Sequence, residues 1–173
     1  MKFLPFGVVL SFVLCGASLC TGAEEPLRVS IDPIVTPGNV LDNPGRMRTI
    51  HFHVVLSNAS TADVRFWDET FSWGYYALTF KGTDGEGKAW AAKKIEVGFT
   101  RNFPRYFTIK PKDSLVIDVY FGDERIWEGF PMRLNHGTIQ AICEVKPDED
   151  SRANNVWTGR IVSEPKPIAY WVK

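Results

Sequence analysis

The chain has 173 residues, enough for one domain with a real core. Its 20 basic and 20 acidic residues balance, which argues against the basic footprint of a nucleic-acid binder or a membrane-surface segment. Hydrophobic residues make up 45% of the chain, and 6 Trp with 12 Phe favour strands, where aromatic side chains concentrate.

The first residues read as a targeting segment. Met1-Lys2 gives a short positive start, residues 3–19 are almost wholly apolar, and Thr21-Gly22-Ala23 supplies small residues before Glu24-Glu25. That is the pattern of a secretory signal cleaved after Ala23, so residues 1–23 are assigned to a signal peptide and 24–173 to a single domain. Pro5, Gly7 and Gly16 interrupt the apolar run and no stop-transfer flank follows, so no transmembrane span is expected in the mature chain. Lipid anchoring at Cys20 would want a small residue before it, and Leu19 stands there. Export to the periplasm or the exterior is therefore the expected destination. Cleavage leaves Cys143 alone, which excludes a disulfide framework.

Strand periodicity dominates the rest. Leu27, Val29 and Ile31 alternate with Arg28, Ser30 and Asp32, a half-buried first strand. Pro37-Gly38 and Asn43-Pro44-Gly45 mark a loop. Residues 48–56 form a second strand, with Ile50, Phe52, Val54 and Leu56 on one face and Thr49, His51, His53 and Val55 on the other. Asn58-Ala59-Ser60 is formally a glycosylation acceptor, but its simpler reading is a turn whose side chains bond the local backbone. Residues 64–80 are the aromatic centre. Phe66, Trp67, Phe71, Trp73, Tyr75 and Tyr76 crowd there, and alternation from Tyr75 to Phe80 predicts a strand.

Residues 81–87 are a glycine-rich turn leading into a partner strand that carries Trp90, the expected central Trp of the sandwich. A phosphate-binding loop would need a helix N-terminus after it, so a hairpin is predicted. Residues 98–105 look irregular and 106–109 are short and apolar. Leu115, Ile117, Val119 and Phe121 alternate as a strand, and the segment 126–136 is the hardest to assign. Residues 137–147 and 156–165 then read as a closing strand pair, with Ile139, Ala141, Cys143 and Val145 facing in, across an acidic, mobile loop at 147–155. Residues 167–173 alternate once more. No segment has helical periodicity. About eight to ten short strands separated by turns predict an all-β, antiparallel sandwich of the immunoglobulin-like kind.

Two regions carry a resemblance. Leu78-Thr79-Phe80, Asp84-Gly85, Gly87, Trp90 and the run Phe107-Thr108-Ile109-Lys110-Pro111 resemble the core of bacterial proteinase-inhibitor-like domains of the BsuPI type. Lys110-Pro111-Lys112-Asp113 stands where that family has a Pro-Gly-Glu turn. Val156-Trp157-Thr158-Gly159 and Ser163-Glu164-Pro165 look like the end of uncharacterised Ig-like domains in exported bacterial proteins. The resemblance implies a fold more than an activity.

Catalytic signals are absent from the sequence. There is no Gly-x-Ser-x-Gly elbow, and Cys143 occupies a core position. No catalytic residue, cofactor or metal is expected, and the chain is read as a non-enzyme. His51 and His53 lie two apart on one strand and share a face. A metal there would need a third ligand, such as Asp68, Glu69 or His136; without one they are solvent-facing histidines. Trp67, Phe71, Trp73 and Tyr75 form the candidate binding surface, because this stretch breaks the alternation and reads as a loop carrying aromatics. A protein partner is expected, with a glycan as the alternative. A proteinase inhibitor would instead present residues 98–105 or 147–155.

Overall fold

The computed structural model describes residues 25–33, 50–121, 126–131 and 136–169. The expected signal peptide at 1–23, the expected turns at 37–38, 43–45 and 122–125, and residues 170–173 of the expected last strand lie outside them. In chain order the elements are β1 (Leu27–Pro33), β2 (Ile50–Asn58), β3 (Val64–Trp67), α1 (Ser72–Tyr75), β4 (Leu78–Thr83) and β5 (Ala89–Lys94). They continue with β6 (Tyr106–Ile109), β7 (Ser114–Phe121), β8 (Trp127–Glu128), β9 (His136–Val145), α2 (Glu149–Ala153), β10 (Gly159–Val162) and β11 (Lys166–Ala169).

The architecture is an all-β sandwich of antiparallel sheets. β1, β2 and β7 form one sheet with β2 in the middle. The other runs β10-β9-β4-β5-β8, and β11 continues along the same edge of β9 as β10. β3 and β6 make a separate pair. Alternation decides which face each strand buries. Leu27, Val29 and Ile31 of β1, Phe52, Val54 and Leu56 of β2, and Ile117, Val119 and Phe121 of β7 point inward, against Phe80 of β4 and the row Ile139, Ala141, Cys143 and Val145 of β9. Aromatic rings join the two sheets: Phe52 meets Phe80 at 5.4 Å and Phe80 meets Phe121 at 5.1 Å.

The predicted hairpin is β4–β5. Asp84 Oδ1 accepts from the backbone N–H groups of Glu86 and Lys88 at 3.0 and 2.8 Å, and Gly87 takes the positive φ of 80° that closes the turn. The closing pair is β9–β10, in the register Gly159–Val145 to Val162–Ile142. Ser163 then turns the chain from β10 into β11. Its N–H donates to Ala141 O at 2.9 Å, while its hydroxyl accepts from the Ala141 N–H at 2.9 Å and so keeps the edge of β9 satisfied through the bend. Gly159 has φ 152°, and a Cβ there would lie 2.8 Å from Trp157 Cζ2, so the indole folds over the space a side chain would take.

Four expectations need correction. Trp127, rather than Trp90, is the tryptophan packed between the sheets, 5.1 Å from Phe80 and 5.3 Å from Phe121. Trp90 lies half-buried farther along the inward row of β5, against Phe130. The chain has helical turns: Tyr75 belongs to α1, and β4 begins only at Leu78. The acidic segment is not an open loop, because Asp148 caps α2 through a reciprocal capping box with Ser151. No helix among the described residues is long and apolar enough to cross a membrane.

Asn58 illustrates how turns are tied to the sheets. It is 2% exposed, donates from Nδ2 to the carbonyls of Ala62 and Ile109, and accepts at Oδ1 from the Ser60 N–H and hydroxyl. Every polar atom of the amide is engaged inside the fold, so the Asn-Ala-Ser tripeptide is a structural turn and its nitrogen is closed to a glycan.

Candidate functional site: an aromatic ridge around α1

The residues between β3 and β4 fold around one buried carboxylate. Asp68 Oδ1 accepts from the Thr70 N–H at 2.9 Å and its hydroxyl at 2.7 Å, and Oδ2 lies 3.3 Å from Arg105 Nε. The Asp68 carbonyl accepts from the Phe71 N–H, which starts the turn into α1. Gly74 allows the short helix to sit on this turn: a Cβ there would lie 2.4 Å from Asp68 O. The N-terminus of α1 is clamped from outside. Asn102 Oδ1 accepts from the Ser72 N–H at 3.1 Å, and Asn102 Nδ2 donates to Ser72 Oγ at 2.7 Å. On the other side, Trp73 Nε1 donates to Asp150 Oδ2 of α2 at 2.7 Å.

This scaffold separates the predicted surface into two kinds of residue. Trp67 is no part of a surface. It is 1% exposed, packs near the Trp73 and Tyr106 rings and belongs to the core. Phe71, Trp73 and Tyr75 are half-buried and lie together around α1. Three aromatics outside the predicted set complete the surface. Phe103 meets Phe71 at a tilt at 4.5 Å, Phe99 meets Tyr75 at 5.5 Å, and Tyr76 meets Tyr75 edge-on at 4.9 Å. Phe103 is 53% exposed and Tyr76 43%. Sequence reasoning missed Phe99 and Phe103 because they stand in an irregular stretch with no periodicity. The available signal was two phenylalanines in a polar connection, where nothing local buries them.

Charge on the ridge is held close to the rings. Lys94, 8% exposed, ion-pairs with Glu69 at 3.1 Å, and its ammonium sits 4.5 Å from the centre of the Tyr75 ring. Burial, then the neighbouring Tyr76, raises the Tyr75 phenol above its ordinary pKa, so it stays a neutral donor at physiological pH. Between α1 and α2 runs a groove of about 530 Å³, lined in part by Trp73, Tyr76, Lys146 and Asp148. Its lining mixes aromatic rings with polar and charged groups, so it can seat a partner's side chain against a ring and orient it by hydrogen bonds.

The other sequence candidates are placed elsewhere. Cys143 is fully buried, and desolvation pushes its thiol up to about 12, which leaves no thiolate for nucleophilic work. Asp68 and Glu69 are engaged with Arg105 and Lys94, and His136 lies beside Gly85 of the β4–β5 hairpin. None of these three approaches His51 and His53. The acid that does is Asp118 of β7. Sequence pattern offered no route to it, because register between strands far apart in the chain is not written in either strand.

No protein-family model matches the chain, and no curated protein is significantly similar to it.

Proposed function

We propose that this chain is an exported, non-enzymatic binding domain of immunoglobulin-like character that engages a protein partner through the ridge around α1. The observation that carries the reading is the exposure of Phe103 and Tyr76 at the edge of an aromatic cluster whose backbone is pinned by Asp68 and Asn102. Solvent-exposed rings on a rigid frame lose little entropy on binding and bury much area, which is why aromatics anchor interfaces. The secretory-type first 23 residues support export.

The test is site-specific photocrosslinking in the host cell. A crosslinkable residue at Phe103 should trap a discrete protein species that is absent when the same residue stands at Glu86, on the hairpin at the far end of β4. Trapping at neither position, or equally at both, would remove the reading. Glycan-array binding lost in Tyr76→Ala and Phe103→Ala would transfer the surface to carbohydrate instead.

One observation favours inhibition of a proteinase as a second reading. Residues 98–105 form an exposed connection without regular structure, and Asn102 ties it to α1. The other inhibitor candidate, 147–155, contains the capped helix α2 and so lacks the extended backbone that a protease cleft accepts. A protease panel showing no inhibition at micromolar protein would eliminate this second reading.

A further inference from the structure

The outer face of the β1-β2-β7 sheet carries a row of side chains that the binding reading does not use. His53 of β2 stands in register between Asp32 of β1 and Asp118 of β7, and the pleat puts all three on the same face. His51 shares that face two residues earlier, diagonal to Asp118. Both imidazoles converge on one carboxylate oxygen: His51 Nε2 lies 3.3 Å and His53 Nε2 2.8 Å from Asp118 Oδ1. The three donor atoms lie within 4.8 Å of one another. The His51 ring is stacked on Tyr120 at 4.0 Å and meets the His53 ring edge-on at 5.5 Å, which restricts its orientation.

We propose that His51, His53 and Asp118 form a binding site for a late first-row divalent cation of the zinc type. Two imidazole nitrogens and one carboxylate are the donor set that zinc, copper(II) and nickel(II) favour. Calcium and magnesium want a shell of oxygens, which this face does not supply. The imidazoles are about a third exposed, at 32% and 33%, so both can turn the short distance needed to admit an ion among the three atoms. Three protein ligands leave a fourth tetrahedral position open to water. Asp32, across from His53, adds a second negative charge to the row and favours a cation over an anion there.

The same convergence would arise if two histidines merely shared a hydrogen-bonding carboxylate, and metal binding separates the cases. The purified protein, carrying no histidine tag, is titrated with Zn²⁺ by calorimetry and with Co²⁺ by visible absorption. The expected result is one ion per chain at micromolar metal, with the intense absorption of low-coordinate Co²⁺. His53→Ala and Asp118→Ala should each weaken binding by about a hundredfold or more, while His136→Ala leaves it unchanged. Binding should fall while the metal-free melting midpoint stays in place, since these side chains lie outside the core; if His53→Ala lowers that midpoint, His53→Gln is read in its place. The proposal is overturned if the wild type takes up no Zn²⁺. It is equally overturned if uptake survives His51→Ala combined with His53→Ala, or disappears in His136→Ala.

Discussion

The rings between the sheets and the rings along the ridge meet at similar distances but are held by different means. Phe80 and Phe121 approach to 5.1 Å, and Phe71 and Phe103 to 4.5 Å. The first pair sits on strands whose alternation aims it inward, and both residues are almost fully buried. The second pair sits on two connections, and hydrogen bonds accepted by Asp68 and exchanged between Asn102 and Ser72, not burial, set its place. Aromatic content alone therefore does not distinguish a core from a contact surface. What distinguishes them is whether the supporting backbone is a ladder or a network of side-chain caps.

The sharpest test of that difference is to remove one ring from each assembly. Phe121 packs on Phe52, Phe80, Trp127 and Phe130, so Phe121→Ala should cost about 3–5 kcal/mol in urea denaturation. Phe103→Ala removes a ring that is half in solvent and should stay within about 0.5 kcal/mol of wild type. Similar losses in the two variants would mean that the ridge is an extension of the core.

How legible each assembly is in the sequence follows from the same distinction. Ile117, Val119 and Phe121 announce their burial by alternating with Val116, Asp118 and Tyr120, and β9 does the same through Ile139, Ala141 and Cys143. Hydrophobic period reports burial faithfully where a strand has one wet face. It failed from Trp67 to Tyr76, where Asp68 bends the chain and the apparent alternation of Tyr75 belongs to a helical turn. It failed again at residues 148–153, whose acidic run resembles a solvated loop while its spacing is that of a capping box with Ser at the third position. The candidate metal ligands were half legible: the His-x-His pair could be read from β2, whereas Asp118 required the β2–β7 register.

A smaller effect tests the carboxylate at the root of the ridge. Asp68 accepts two hydrogen bonds from Thr70 and contacts Arg105; its own carboxylate is buried, while both partners reach solvent. Asp68→Ala leaves the Thr70 N–H without that partner and should cost about 2 kcal/mol. The loss should be accompanied by increased proteolysis within 68–76, detected by limited digestion and mass mapping. A stability loss spread evenly over the protein, with no gain in cleavage there, would show that Asp68 supports the sandwich generally and not the ridge.

The smallest expected effect sits one contact farther out and can be switched by pH. The Ser151 N–H donates to Asp148 Oδ1 at 2.7 Å while the Ser151 hydroxyl accepts from the Asp148 N–H at 2.9 Å, and the contacts with Ser151, led by its backbone N–H, hold the Asp148 carboxyl below its ordinary value of 3.8. Because the folded state binds this proton less readily than the unfolded chain, the cap contributes above the ordinary carboxylate range, and that contribution fades as pH falls through the lowered folded value. Asp148→Ala should therefore cost about 1 kcal/mol at neutral pH, and the gap from wild type should close in acid. The capped helix also presents Asp150 to the Trp73 indole, so uncapping should loosen that hydrogen bond and red-shift Trp73 emission at neutral pH. If the stability gap persists unchanged at low pH, the alanine acts by a route other than the ionised cap, and α2 would then owe its position to the backbone pairing of Val156 and Trp157 with Arg65 of β3.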